Sequence, residues 1–122
     1  SLTLSSTNTA TFASSVSDNL GNLRNIPRDN KTSSYTLVAT DAGKLITTTS
    51  GITINTGVFS DTNVVTIING SGSDITITQG SGFTLYNTAD ASTGNRTLAG
   101  RGMATLYFTH NTTAYMSGAG LS

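Results

Sequence analysis

The chain has no cysteine, no tryptophan, no glutamate and a single proline, Pro27. Without cysteine there is no disulfide, no thiolate nucleophile and no thiolate-ligated metal. Charge is equally scarce. Only 10% of the 122 residues are charged, and six cations balance six aspartates, against about 25% charged residues in an ordinary soluble protein. So small and balanced a set supplies no basic field for nucleic acid or an anionic membrane surface. No apolar run approaches the ~18 residues a spanning helix requires, so no membrane insertion is expected. The chain opens at Ser1 without a charged-then-apolar leader, and a targeting signal is expected to be absent or removed.

What fills the chain is small and polar. Thr, Ser and Asn make up 51 of the 122 residues, and 13 more are Gly. These are weak helix formers. Regular apolar spacing combined with low charge is also unlike a disordered chain. The composition therefore points to an all-β fold, and the length to one domain with one sizeable core.

Residues 1–17 keep a sparse two-residue spacing through Leu2, Leu4, Ala10, Phe12 and Val16. Period two marks one face of an extended strand. That face is too thin to bury itself, so partner chains are expected to cover it. Residues 18–34 carry turn formers, Pro27 and half of the cations (Arg24, Arg28, Lys31), and read as a connector. We therefore divide the chain into a stalk segment and connector, 1–34, and a β-domain, 35–122.

Within the second part, YTLVAT, KLITTT, ITIN, NVVTIIN, DITITQ, FTLYN and MATLYFTH alternate with breaks such as Asp41-Ala42-Gly43 and Asn69-Gly70-Ser71-Gly72. Turns at intervals of roughly 8–12 residues suggest an antiparallel β-sandwich or jelly roll. The rival is a parallel β-helix with GITI, VVTI, DITI and FTL as stacked rungs. Their spacing is short for a three-faced coil and the breaks look like hairpin turns, so the sandwich is preferred. A closing hairpin is expected from 103–110 and 114–120 about Asn111-Thr112.

Catalytic chemistry finds little support. Nearly all of the six aspartates (18, 29, 41, 61, 74, 90) sit in turn contexts, where Asp ordinarily caps nearby backbone. No local pattern pairs two of them as a glycosidase would. His110 is the only histidine and has no neighbouring ligands for a metal. The glycine-rich breaks lack the lysine and helix of a phosphate loop. The expectation is no enzyme, no cofactor and no metal. An ice-binding array would need threonines at regular intervals on one flat face; the Thr-x-Thr pieces look scattered and read as solvent faces.

Sugar recognition is better served. It uses aromatic faces against C–H surfaces and planar polar groups against hydroxyls, placed on loops held by a rigid scaffold. Tyr86, Asn87, Asp90, Arg96, Arg101, His110, Asn111 and Tyr115 are the candidate glycan-binding residues. For the tyrosines the competing role is core or interface. For Arg96 and Arg101 it is an ion pair across subunits.

The stretches DAGKLIT (41–47), GVFSDTNVVTIINGSGSDITITQGSGFTL (57–85), STGNRTLAGRGMATL (92–106) and SGAGLS (117–122) resemble a module at the C-terminal end of bacteriophage tail-fibre proteins, particularly of cyanophages and marine phages. ATFASSVSDNLGNLRNIP resembles the short stalk of the same proteins. The resemblance implies a homotrimeric β-rich tip on a slender stalk, carried on the virion and contacting the host surface. In such a trimer Leu2, Leu4, Phe12 and Val16 would surround the axis. The lack of cysteine fits assembly in a reducing host cytoplasm. The function expected is non-enzymatic attachment to a host polysaccharide or lipopolysaccharide. The alternative is a purely structural trimerisation cap.

Overall fold

The computed structural model describes residues 10–122; Leu2 and Leu4 lie outside them. A short hairpin comes first, β1 (Ser17–Asp18) against β2 (Gly21–Asn22). The main sheet follows with β3 (Arg28–Lys31) and β4 (Tyr35–Thr36), then a 3-10 turn over Ala39–Asp41. Next come β5 (Leu45–Thr48), β6 (Ile52–Ile54), β7 (Val64–Asn69) and β8 (Ile75–Gln79). It ends with β9 (Thr84–Asn87) and the long pair β10 (Arg96–His110) and β11 (Thr113–Leu121). The all-β expectation holds. The sheet begins at Arg28, inside the stretch read from sequence as a connector. No helix among the described residues is long and apolar enough to cross a membrane.

The pairing departs from an antiparallel sandwich. β3, β5 and β7 run parallel as one wall, with Arg28 beside Leu45 and Leu45 beside Thr66. β4, β6 and β8 run parallel as the other, with Tyr35 beside Ile52 and Ile52 beside Ile77. GITI and DITI are thus stacked rungs, as the rival reading has it. Each rung contains two strands, one per wall, so a strand's neighbour is the next but one in sequence. Breaks such as Asp41-Ala42-Gly43 and Ser50-Gly51 are corners between walls and not hairpin turns. The one long hairpin expected, β10–β11, is present, with Tyr107 opposite Tyr115.

β10 closes the stack by serving both walls. Its start pairs antiparallel with β8 (Leu98 with Ile75) and its later part with β7 (Leu106 with Val65). Between Leu98 and Met103 the register shifts, and Arg101 takes a left-handed φ of 64°. A non-glycine residue there is strained unless its surroundings hold it. Gly100 has no such freedom to lose. A Cβ at that position would meet the Gly72 carbonyl at 2.5 Å, so only glycine lets the corner approach so closely.

Alternation builds the core. Ile46, Ile52, Ile54, Val65, Ile67, Ile77, Leu85, Leu98, Leu106, Phe108 and Met116 point inward and are fully buried. Inward positions at strand ends are polar instead. Thr48 and Asn69, register neighbours, close the ends of β5 and β7. Thr48 Oγ1 donates to Ser50 O (2.8 Å) and accepts from Ser50 N–H (3.1 Å). Such groups are tolerated inside because they are hydrogen-bonded. No buried side-chain polar atom among the described residues lacks a partner.

Outward threonines fall into register more than their scatter in sequence suggests. Thr36 lies beside Thr53 and Thr53 beside Thr78, with Thr76 beside Thr97. Arg28, Asp29 and Lys31 of the connector stretch fall on β3, which among the described residues pairs on one side only. Charged side chains on an open edge discourage pairing with another sheet.

Near the first corner, Tyr35 Oη donates to Asp41 Oδ2 (2.8 Å), which also accepts from Val38 N–H (2.9 Å). Desolvation, then the hydrogen bond and charge of Asp41, push the Tyr35 phenol up to about 12 from 10.0. The fold favours the neutral phenol. Its contribution to stability is therefore complete below pH 10 and lost as pH rises through about 12. Alkaline titration followed by phenolate absorbance should show one tyrosine ionising near pH 12, and Tyr35→Phe should remove that step.

Candidate glycan-binding face

The site grows from the same alternation. Leu85 and Asn87 point inward on β9, which turns Tyr86 outward. Ala114 and Met116 point inward on β11, which turns Tyr115 outward. The parallel register then sets Tyr86 beside Tyr115, and the antiparallel register sets Tyr107 of β10 on its other side. The Tyr86 and Tyr115 rings stack, centroids 5.0 Å apart and 17° from parallel. Tyr107 and Tyr115 are 44% and 41% exposed, so this row faces solvent.

Beside the stacked pair lies a groove of about 360 Å³, lined by Tyr86, Asn87, Thr88, Ala91 and Tyr115. Its outer wall is the loop 88–95, which the chain braces from within. Asn87 O accepts from Ala91 N–H (2.8 Å), and Asn87 Oδ1 from Ala89 N–H (3.1 Å). Asp90 Oδ1 accepts from Ser92 N–H (2.9 Å) and Ser92 Oγ–H (2.6 Å). These Ser92 hydrogen bonds hold the exposed Asp90 carboxyl below the usual carboxylate range. Arg96 is only 9% exposed. Its Nε donates to Gly94 O and Asn95 O, Nη1 to Ser92 Oγ (2.6 Å) and Nη2 to Thr93 O. Ala91 sits at a φ of 62°. A non-glycine residue persists there only when the surroundings over-determine it.

The structure therefore sorts the eight candidate residues. Tyr86, Asn87 and Tyr115 line one groove, and Asp90 stands next to it. Arg96 lies behind the loop, where the chain's own carbonyls and the Ser92 hydroxyl accept from its guanidinium. Arg101 is at the β10 corner, its Nη1 donating to Gly70 O (2.6 Å), on the β7 side of β10 and away from β11. His110 ends β10 and Asn111 opens the β10–β11 turn. His110 Nδ1 lies 3.0 Å from Thr112 Oγ1, and Asn111 O accepts from Gly57 N–H. Ala91, placed by the folded loop, is an addition that sequence alone did not single out, and the strand register brings Tyr107 into the row. Among the described residues no three His, Asp or Glu side chains are grouped to hold a metal.

A second hollow, of about 520 Å³, lies among Ala10, Thr11, Phe12, Ser14, Val16, Leu23 and Arg24. Here Phe12 is 56% exposed and Val16 half-buried, and Leu20, Leu23 and Ile26 also stand in solvent. Residues 10–16 form no strand.

No protein-family model, curated protein or solved structure matches this chain.

Proposed function

We propose that this chain is a non-enzymatic attachment module that holds a glycan in the groove beside Tyr86 and Tyr115. The observation that carries the reading is the stacked, solvent-facing tyrosine pair against a braced loop. Aromatic faces accept the C–H faces of sugars, and a wall fixed before binding avoids the entropy of ordering it. In the setting that the sequence resemblance suggests, the module is the tip of a bacteriophage tail fibre on the virion. Its partner there is a host surface polysaccharide or lipopolysaccharide.

The N-terminal segment supports a homotrimer with a stalk. Phe12, Leu20, Leu23 and Ile26 are large apolar side chains left uncovered by their own chain. Burying one such side chain contributes roughly 1.5–3 kcal/mol, so three copies gain by covering them together. The same observation favours the second reading, a purely structural trimerisation cap.

Glycan-array binding and light scattering on one preparation separate the two. The attachment reading expects a mass near three 12.5 kDa chains, and a bound glycan whose affinity falls about tenfold or more in Tyr115→Ala. The variant's mass and unfolding should be unchanged. A trimer that binds no glycan leaves the cap. Equal binding by Tyr115→Ala removes the groove as the site.

A further inference from the structure

Resting on that reading of the groove, we infer that the saccharide it takes is uncharged: a neutral hexose or deoxyhexose unit, with uronic, sialic and phosphorylated sugars excluded. An anionic sugar is ordinarily held by a charge-assisted donor, most often an arginine fork. The groove lining offers two phenols, an amide, a hydroxyl and a methyl group, and no cation.

Nor can a cation easily reach it. Arg96 is the nearest in sequence, yet Nε, Nη1 and Nη2 are all committed to the loop behind the wall. Arg101 donates to Gly70 O on the other side of β10. Lys44 pairs with Asp29 at 3.1 Å, and Lys31 sits over the Tyr35 ring at 4.2 Å. Arg28 belongs to β3, and Arg24 lines the second hollow. His110 is opposite Thr113 and outside the lining.

The formal charge on the solvent side of the wall is of the opposite kind. Asp90 precedes Ala91 of the wall, and its carboxylate is fixed there by Ser92. A second negative charge brought to this rim meets the Asp90 carboxylate, with the Arg96 charge held behind the wall and no cation in the lining itself. The volume, near the lower end of the about 300–1,000 Å³ usual for ligand sites, suits a short unit of a glycan and not a long enclosed stretch.

The test is a titration of the intact chain, followed by its tyrosine ring resonances. The probes are neutral malto-, cello- and manno-oligosaccharides on one side, and oligogalacturonate and oligosialate on the other, at low and high salt. The expected result is that a neutral oligosaccharide shifts the Tyr86 and Tyr115 rings with an affinity indifferent to salt. The acidic ones should bind about tenfold more weakly or worse. An acidic oligosaccharide that binds these rings as tightly as any neutral one, and weakens with salt, overturns the inference while leaving attachment in place. Binding by none of the probes overturns both.

Discussion

Phe108→Ala is expected to destabilise the fold by about 3–5 kcal/mol, read as a lower urea midpoint. Phe108 is fully buried on β10 and stacks on Phe59 with centroids 4.3 Å apart; Phe83 packs at 6.0 Å. Phe59 comes from the long connection between β6 and β7, and that connection is fastened to the same strand. Thr62 N–H donates to Phe108 O (2.8 Å), and Phe108 N–H donates to Asn63 O (3.0 Å). Removing the ring therefore leaves a cavity whose lining is tied to backbone on two sides and collapses poorly. Phe108→Leu, which keeps most of the volume, should lose much less, under about 1.5 kcal/mol. A similar small loss for both variants would show that the three-ring cluster repacks freely.

Asn69→Leu is expected to be nearly as damaging, about 3–4 kcal/mol, although it replaces a polar residue by an apolar one of similar size in the core. Asn69 is fully buried. Its Nδ2 donates to Ser73 O (2.7 Å), Leu98 O (3.1 Å) and Ala99 O (3.1 Å). Its Oδ1 accepts from Ser71 N–H (3.0 Å) and Ser71 Oγ–H (2.8 Å). One side chain thus satisfies a corner, its turn and the start of the β10 bend. Leucine fills the space and removes all of these hydrogen bonds, although Ser73 O can still accept from Ser71 Oγ (2.9 Å). Asn69→Asp should be worse still, because it puts a charge against three carbonyl oxygens and removes the donor they share. Urea unfolding of the two variants checks the order. If leucine is tolerated within about 1 kcal/mol, water or the turn itself can take over the corner.

Strand positions were legible because period-two alternation reports which side chains face inward, and KLITTT, NVVTIIN and DITITQ alternate cleanly. Partner choice was not legible. Alternation is blind to which strand lies alongside, and a short Gly-containing break serves a hairpin or a corner equally well. The interval between successive strands looked too short for a rung because a rung here spends two strands, one on each wall. The long β10–β11 hairpin was readable since its partners are adjacent in sequence. At the site, Tyr86 and Tyr115 could each be named from aromatic character. Their meeting depends on the β9–β11 register, between strands separated by all of β10. Arg96 looked available because it borders a polar loop. Only the folded loop, with carbonyls of Thr93, Gly94 and Asn95 and the Ser92 hydroxyl turned on it, reveals that each of its three nitrogens already donates.

The two parallel walls also make reach an adjustable quantity. Each strand of a wall contacts chiefly the strand before and after it, so stability accumulates rung by rung. An extra rung placed between β6 and β7 would need matching inward alternation, a satisfied polar residue at its corners and a connection that keeps the Phe59 and Asn63 contacts with β10. The closing hairpin and the tyrosine face would be carried along unchanged, displaced by about 4.8 Å for each rung added. Where the tyrosine face stands along the stack can thus vary through the length of the coil, with no alteration to the side chains at its end.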